Sequence, residues 1–246
     1  MYQAIHSRGC LARRRTSRAE PGEKPMSDPI VFGFPRSTFV QIVRLVLTHK
    51  NVTYTFRDLE PEMGKPTHLA LHPFNRVPIL QHGDFTVYET SAIVNYVEET
   101  FDHVALRPAN SRESARMDQW ISAVNSYYYP YTIYHVSHER RVFPELGIAS
   151  DENVVSHALP KIETGLHVLE DELGDGRDYL LGSQLSLADF YLLPSTYAFG
   201  MTDEGKRMYP KYPLFCRWRE RMEGSPTVRR LRAALPPHAP IEHARE

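Results

Sequence analysis

The chain has 246 residues, of which 41% are hydrophobic and 24% are charged, a composition typical of a globular protein with a buried core. No apolar run approaches the roughly 18 residues of a membrane-spanning helix, so we expect no membrane span. Residues 1–19 contain five arginines and no acidic residue. Without these five arginines, the rest of the chain has 24 basic and 30 acidic residues. The folded part of a nucleic-acid-binding protein would carry an excess of basic residues, so we do not expect this class.

Cysteine and histidine usage favours a cytoplasmic protein without a metal. The two cysteines, Cys10 and Cys216, form neither a disulfide framework nor a zinc pattern. The twelve histidines show no metal-ligand spacing, and we interpret them as scattered surface residues.

Both ends of the chain lack apolar periodicity. Residues 1–27 are rich in Arg, Ser and Pro, which predicts a disordered basic tail. The same composition fits an organelle-import signal, or an upstream extension with Met26 as the true start. Residues 236–246 are interpreted as a flexible tail.

The first half of the body alternates strand and helix patterns. An apolar run at 30–33 predicts a buried strand, and apolar residues over 39–47 predict a helix with a broad apolar face. Alternation over 52–56 predicts a half-buried strand. Two further strands flank a turn at 82–84, and a helix follows from Thr90 to Thr100. This order requires a mixed sheet with helices, an α/β domain.

The second half contains only helical patterns. Pro130 should kink the first helix, because proline lacks a backbone donor and clashes with the preceding turn. The predicted helices cover 113–140, 152–173, 187–200 and 213–223.

Two short motifs carry the chemistry. In the first, Pro78 directly precedes a strand although it cannot donate to a ladder. A cis Val77–Pro78 bond would leave the Val77 backbone free for an extended peptide, and the alternative is a proline on an edge strand. In the second, Glu89 and Thr90 open a helix. They form either an ordinary cap or, with the first helical amides, a site for an α-amino acid group.

These motifs resemble those of the cytosolic glutathione transferases. The stretch 72–80 matches the family's Asn-Pro-x-Gly-x-Val-Pro-x-Leu, and 89–93 matches Glu-Ser-x-Ala-Ile. Ser186 and Asp189 match a structural capping box of the second domain. The resemblance spans about residues 29–225. It implies a thioredoxin-like β-α-β-α-β-β-α domain at 28–104, a linker at 105–112 and an all-α domain at 113–235.

The resemblance also implies the ligand contacts. Val77 would pair its backbone with the cysteinyl part of glutathione, and Glu89 and Thr90 would hold the γ-glutamyl end. Asn75 stands where the family has glycine, which is tolerable because Asn visits the left-handed region. The implied glutathione-binding set also includes Pro78, Arg76 and, for the glycyl carboxylate, Lys65, with His49 and Lys50 as competitors.

Ser37 is the catalytic candidate. It lies four residues after Gly33, at the family's serine or cysteine position, and it can cap the helix at the same time. A hydroxyl at a helix N-terminus stabilises a thiolate by hydrogen bond and dipole together. Thr38 is the fallback, and Arg36 could add positive potential. The loop has no cysteine, which argues against a thiol transferase and suggests a serine-type member like those of bacteria and fungi.

Aromatic residues crowd the first helix of the second domain, where the family places its electrophile pocket. As core or interface residues they need no further explanation. Tyr131 and Tyr134 are one α-helical turn apart and can face one cleft. The pocket candidates are Trp120, Tyr127, Tyr131 and Tyr134.

The predicted function is that of a glutathione transferase that directs a thiolate at a small hydrophobic electrophile, as in detoxification. The resemblance implies a cytoplasmic homodimer with glutathione as co-substrate. Two alternatives remain open: a non-catalytic glutathione-binding or protein-partner module, and a glutathione-dependent reductase or isomerase.

Overall fold

A computed structural model describes residues 27–234. Its first part contains four strands, Ile30–Gly33 (β1), Thr55–Asp58 (β2), Ile79–His82 (β3) and Phe85–Tyr88 (β4). Three helices accompany them, Thr38–His49 (α1), Pro66–Leu71 (α2) and Thr90–Thr100 (α3). The predicted order β-α-β-α-β-β-α is confirmed. Both predicted tails lie outside the described residues, apart from Ser27.

The four strands form one mixed sheet in the order β2-β1-β3-β4. Strand β1 pairs in parallel with β2 and antiparallel with β3, and β3 pairs antiparallel with β4. The second predicted strand begins later than its alternation suggested, since Val52 and Tyr54 precede β2. These two residues pack against the core from the loop.

The second part is helical, as predicted. The helix Ser111–Ala123 (α4) continues as π-helix over Val124–Tyr128 and Pro130–Val142. The helical backbone continues through Tyr129, and π-helical geometry flanks Pro130 where we predicted a kinked α-helix. The remaining α-helices are Phe143–Glu145 (α5), Glu152–Glu172 (α6), Leu187–Gly200 (α7), Asp203–Met208 (α8), Pro213–Gly224 (α9) and Pro226–Ala233 (α10).

A continuous apolar core joins the two parts. Helix α1 buries residues against the sheet and also packs on α7 and α10. The linker is fixed at Leu106, whose N–H donates to Glu98 and whose carbonyl accepts from Leu187. Glu98 in turn pairs with the buried Lys50 at 3.1 Å. The helical domain therefore has a fixed attachment to the sheet domain.

Helix α7 is the central element of the helical part and is buried over most of its length. It begins with the predicted capping box: the Asp189 carboxylate accepts from the backbone N–H of Ser186 at 3.0 Å and from its hydroxyl at 2.9 Å. Asp189 also accepts from Leu180 N and from Trp218 Nε1. Within residues 27–234, every helix is too short or too polar to cross a membrane.

Candidate active site

The register of the sheet brings the two short motifs and the Ser37 loop to one edge. Phe32 of β1 is opposite Ile79 of β3, and Ile79 is opposite Tyr88 of β4. The loop after β1, the segment before β3 and the turn after β4 therefore leave the sheet at the same end. Ser37, Val77 and Glu89 lie on these three connections, so the sheet assembles residues that are far apart in sequence.

Ser37 is the N-cap of α1. Its Oγ accepts a hydrogen bond from the backbone N–H of Val40 at 3.4 Å. The Ser37 residue as a whole is half-buried. Because the hydroxyl acts as acceptor towards the helix, its own proton is available to a ligand. Thr38 is 9% exposed inside the helix, and Arg36 is exposed and ion-paired with Glu60. The structure thus favours Ser37 geometrically over either fallback.

The segment before β3 has an unusual backbone. The Val77–Pro78 peptide bond is cis, the isomer that the sequence predicted. Asn75 has φ +54°, so the expectation that it occupies the left-handed region is confirmed. The Arg76 carbonyl accepts a hydrogen bond from the buried His68 at 2.9 Å.

The turn after β4 has a strained backbone, and the helix that follows it begins without a side-chain cap. Glu89 has φ +72° and ψ 122°, a conformation that costs energy and that clusters at functional sites. Glu89 is the N-cap of α3, yet no side chain among the described residues caps this helix. Thr90 is 7% exposed at the first helical position, so it is not the ordinary cap that the alternative interpretation required. Helix amides without a side-chain cap are an arrangement that can bind a carboxylate.

The structure distinguishes the three residues considered as binding partners of the glycyl carboxylate of glutathione. Lys65 is exposed before α2 and pairs with Glu62 at 3.2 Å. Lys50 is 1% exposed and paired with Glu98, while His49 contacts Thr227 of α10. Both lie at the C-terminal end of α1, about 18 Å along the helix from Ser37. The two competitors are therefore excluded, and Lys65 remains.

The predicted electrophile pocket needs two corrections. Trp120 is 4% exposed and belongs to the main core, so its ring has almost no surface to offer a ligand. Tyr127 is 65% exposed, while its neighbour Tyr128 is buried and donates to the Gly165 carbonyl at 2.7 Å. The cluster thus divides into core and surface residues, since one helix face cannot bury all of it.

Tyr129, which the sequence analysis did not select, lies where the two domains meet. Its ring is 4.5 Å from that of Phe39, two residues after Ser37, and 5.1 Å from that of Tyr134. Burial raises the pKa of the Tyr129 phenol, Tyr134 adds to this, and the charge of Arg76 opposes it.

The π-helix explains why Tyr129 was missed. In a π-helix the hydrogen bonds join i to i+5, so Tyr129 and Tyr134 become neighbours. The predicted pairing of Tyr131 with Tyr134 assumed α-helical spacing. The Tyr131 ring packs on His135 at 5.2 Å and the Tyr134 ring on His138 at 5.1 Å, so each of these tyrosines has a histidine as a ring neighbour. No sequence signal distinguished this register.

The fold is a thioredoxin-like domain followed by a helical domain, with the candidate residues gathered at one end of β1, β3 and β4. Two family models match the chain: the glutathione S-transferase N-terminal domain over residues 31–109, and the glutathione S-transferase C-terminal domain over residues 120–226.

Individual relatives agree with these matches. The chain is 31% identical over 214 residues to a probable glutathione S-transferase GSTF1 of Oryza sativa subsp. japonica, covering 84% of this chain and 96% of the relative. It is 30% identical over 223 residues to glutathione S-transferase 1 of Triticum aestivum, covering 86% and 96%. The maize glutathione S-transferase I in complex with an atrazine glutathione conjugate has a TM-score of 0.76 and 27% identity, covering 87% and 100%.

The chain therefore belongs to the glutathione S-transferase family, and the predicted fold and enzyme class are confirmed. These relatives are plant proteins, so the comparison does not support the bacterial or fungal affinity suggested by the serine-type loop. Among residues 27–234, no three His, Cys, Asp or Glu side chains come together as a metal site.

Proposed function

We propose that the chain binds glutathione across the sheet edge, with the Val77 backbone pairing with the cysteinyl part. Glu89 holds the γ-glutamyl ammonium, and Thr90 with the first amides of α3 holds its carboxylate. The observation that carries this proposal is the register Phe32–Ile79–Tyr88. Two strand spacings of about 4.8 Å amount to about 10 Å, which an extended tripeptide can span.

Ser37 activates the thiol in this proposal. A free thiol with a pKa of about 8.5 is ionised only to a few per cent at neutral pH. The Ser37 hydroxyl donates to the sulfur while the α1 dipole adds positive potential at the same point. Lowering the thiol pKa by about two units corresponds to about 2.7 kcal/mol and makes thiolate the main form.

The electrophile enters between the domains, beside Tyr129. The exposed part of this aromatic wall continues through Tyr134, and Tyr131 lies half-buried on the same segment. Its rings suit a small hydrophobic electrophile that presents a flat apolar face. The solved maize relative contains an atrazine glutathione conjugate, which supports the same substrate class for this chain.

The remaining predictions complete the proposal. Arg76 and Lys65 supply positive charge near the glycyl end, and Pro78 shapes the Val77 segment. The domains extend over 28–104 and 113–235, and the protein is a cytoplasmic homodimer.

Light scattering should give about twice the 28.4 kDa chain mass, and a value near 28.4 kDa at micromolar concentration would refute the dimer.

One preparation can separate the transferase from the non-catalytic alternative. We expect retention on glutathione-agarose, elution with free glutathione, and conjugation of an aromatic electrophile by the eluted protein. Retention without turnover across a panel of electrophiles would favour a binding module. Failure of retention would contradict the glutathione site itself.

A further inference from the structure

A buried histidine lies directly behind the proposed glutathione edge. His68 is in the middle of the short helix α2 and is 1% exposed. The sequence analysis gave it no role, and none of the proposed glutathione contacts includes it. Both of its ring nitrogens are nevertheless engaged by backbone groups of the two loops on either side of α2.

The partners of His68 fix its chemical form. The backbone N–H of Gly64 can only donate, so Nδ1, at 3.2 Å, must accept. The carbonyl of Arg76 can only accept, so Nε2, at 2.9 Å, must donate. His68 is therefore neutral with its proton on Nε2, because an imidazolium or the other tautomer would lose the bond to Gly64.

The bond to Arg76 acts on the ligand-binding amide through the peptide plane. The Arg76 carbonyl and the Val77 N–H belong to one planar peptide unit, in which they point in opposite directions. Holding the carbonyl towards α2 therefore aims the Val77 N–H away from it. We propose that His68 is a positioning residue that orients the Val77 peptide for glutathione, a role that depends on the function proposed above.

The same imidazole joins two loops with unusual backbones. Gly64 has φ +77° and Asn75 has φ +54°. The two loops lie against each other, since a Cβ on Gly64 would be 3.8 Å from the Asn75 side-chain amide. Lys65 follows Gly64 directly, so His68 connects the segment of the glycyl-end candidate to the segment of the cysteinyl contact. Neither loop belongs to a regular strand or helix that would fix it independently.

Two amide substitutions can separate the two hydrogen bonds of His68. The Gln side-chain amide reaches the position of Nε2, so His68→Gln keeps a donor for the Arg76 carbonyl. The Asn amide reaches only the position of Nδ1, so His68→Asn keeps the Gly64 bond alone. We expect the glutathione Kd to stay within about twofold in His68→Gln and to rise about tenfold in His68→Asn, the effect of leaving a buried carbonyl unpaired.

Kinetics distinguish positioning from general damage. In His68→Asn the KM for glutathione should rise with the Kd while kcat at saturating glutathione stays within about threefold, because Ser37 is on another element. His82→Asn is the matched control: His82 is 3% exposed, its ring stacks on that of Phe101 at 5.4 Å, and it lies at the far end of β3. This control should lose stability in urea without a change in glutathione Kd.

Several results would overturn the proposal. They are an unchanged Kd in His68→Asn, an equal loss in His68→Gln and His68→Asn, or a comparable loss of affinity in the His82 control. If the wild-type protein failed to bind glutathione, the proposed function would fall together with this inference. Normal glutathione binding by the wild-type protein, together with an unchanged glutathione Kd in His68→Asn, would refute this inference and leave the proposed function standing.

A measurement on the unmutated protein covers the case in which His68→Asn does not fold. Nitrogen-15 NMR of histidine-labelled protein should show His68 protonated on Nε2, with that resonance shifting on addition of glutathione. Protonation on Nδ1, or an unchanged resonance at saturating glutathione, would contradict the role.

Discussion

In the proposed function, Ser37 performs two tasks with different atoms of one hydroxyl. Its oxygen accepts from Val40 N and caps α1, while its proton is free to stabilise a thiolate. Ser37→Ala should lower the conjugation rate by roughly 10–1000-fold with little change in glutathione affinity, because one positioned hydrogen bond to a developing charge is lost.

Steady-state kinetics with saturating glutathione would check this expectation, with Thr38→Ala as the neighbouring control. Thr38 is buried in α1, so its loss should leave the rate within a few-fold. Full activity in Ser37→Ala together with inactivity in Thr38→Ala would assign the catalytic role to Thr38 instead.

His72 should make the stability of the folded protein depend on pH. Its ring is 1% exposed and 4.5 Å from that of Tyr88, and burial lowers its pKa although the charge of Glu89 acts in the opposite direction. A histidine with a lowered folded-state pKa resists protonation that the unfolded chain accepts near pH 6.5. The folded state should therefore lose stability as the pH falls below about 6.5.

Urea unfolding at several pH values between 7.5 and 5.5 measures this dependence. His72→Asn should flatten it without abolishing it, because burial also lowers the pKa values of His49 and His138. An identical slope in wild type and His72→Asn would show that His72 is protonated equally in both states.

At the residue scale, the sequence predicted the structural position of residues whose signals are local. Ser37 and Glu89 were recognisable because a cap and a carboxylate stand at helix starts. Lys50 was misjudged because burial and its partner Glu98 depend on tertiary packing. His68 had no signal at all, since its role depends on two backbone groups that only folding brings to the same ring.

At the element scale, the start of α7 concentrates the most polar contacts in the core. Asp189 is fully buried and accepts four hydrogen bonds, from Ser186 N and Oγ, Leu180 N and Trp218 Nε1. Asp189→Ala should reduce the free energy of unfolding by about 3–5 kcal/mol, because several buried donors would lose their acceptor.

Ser225→Ala provides the comparison for Asp189→Ala in the same urea titration. Ser225 caps α10 with a single bond from Val228 N at 3.3 Å, and an ordinary cap is worth about 0.5–2 kcal/mol. A loss for Asp189→Ala no larger than that for Ser225→Ala would contradict the expected contribution of the four Asp189 hydrogen bonds.

The π-helical segment makes a prediction about substrate binding. Tyr129→Ala removes the ring that packs against Phe39, so the KM for an aromatic electrophile should rise roughly 2–10-fold, the value of one aromatic contact. The KM for glutathione should not change. Tyr127→Ala is the matched control on the same segment, because its side chain is 65% exposed. Equal effects of the two substitutions would remove Tyr129 from the pocket.

Elements were predictable where their ends carry their own signals. Helices α3 and α7 begin and end at the predicted residues, because a strand-to-helix turn and a capping box mark their starts. The long helix after Ser111 was located but its register was not, because periodicity analysis assumes 3.6 residues per turn.

At the scale of the whole molecule, the proposed function requires the sheet and the helical domain together. The sheet edge would present three connections to the tripeptide, and the core between α1 and α7 joins the two domains. The domain order followed from the sequence because strand and helix patterns separate cleanly along the chain. The contact of Tyr129 with Phe39 did not, since it depends on how the two domains pack.

The central claim is that the folded chain binds glutathione and holds it as a thiolate beside Ser37. Ultraviolet absorbance of the thiolate in the protein–glutathione complex, titrated with pH, tests this claim directly. We predict an apparent thiol pKa about two units below the free value of about 8.5, with the difference largely lost in Ser37→Ala. A bound thiol that titrates at the free value in the wild-type complex would contradict the account.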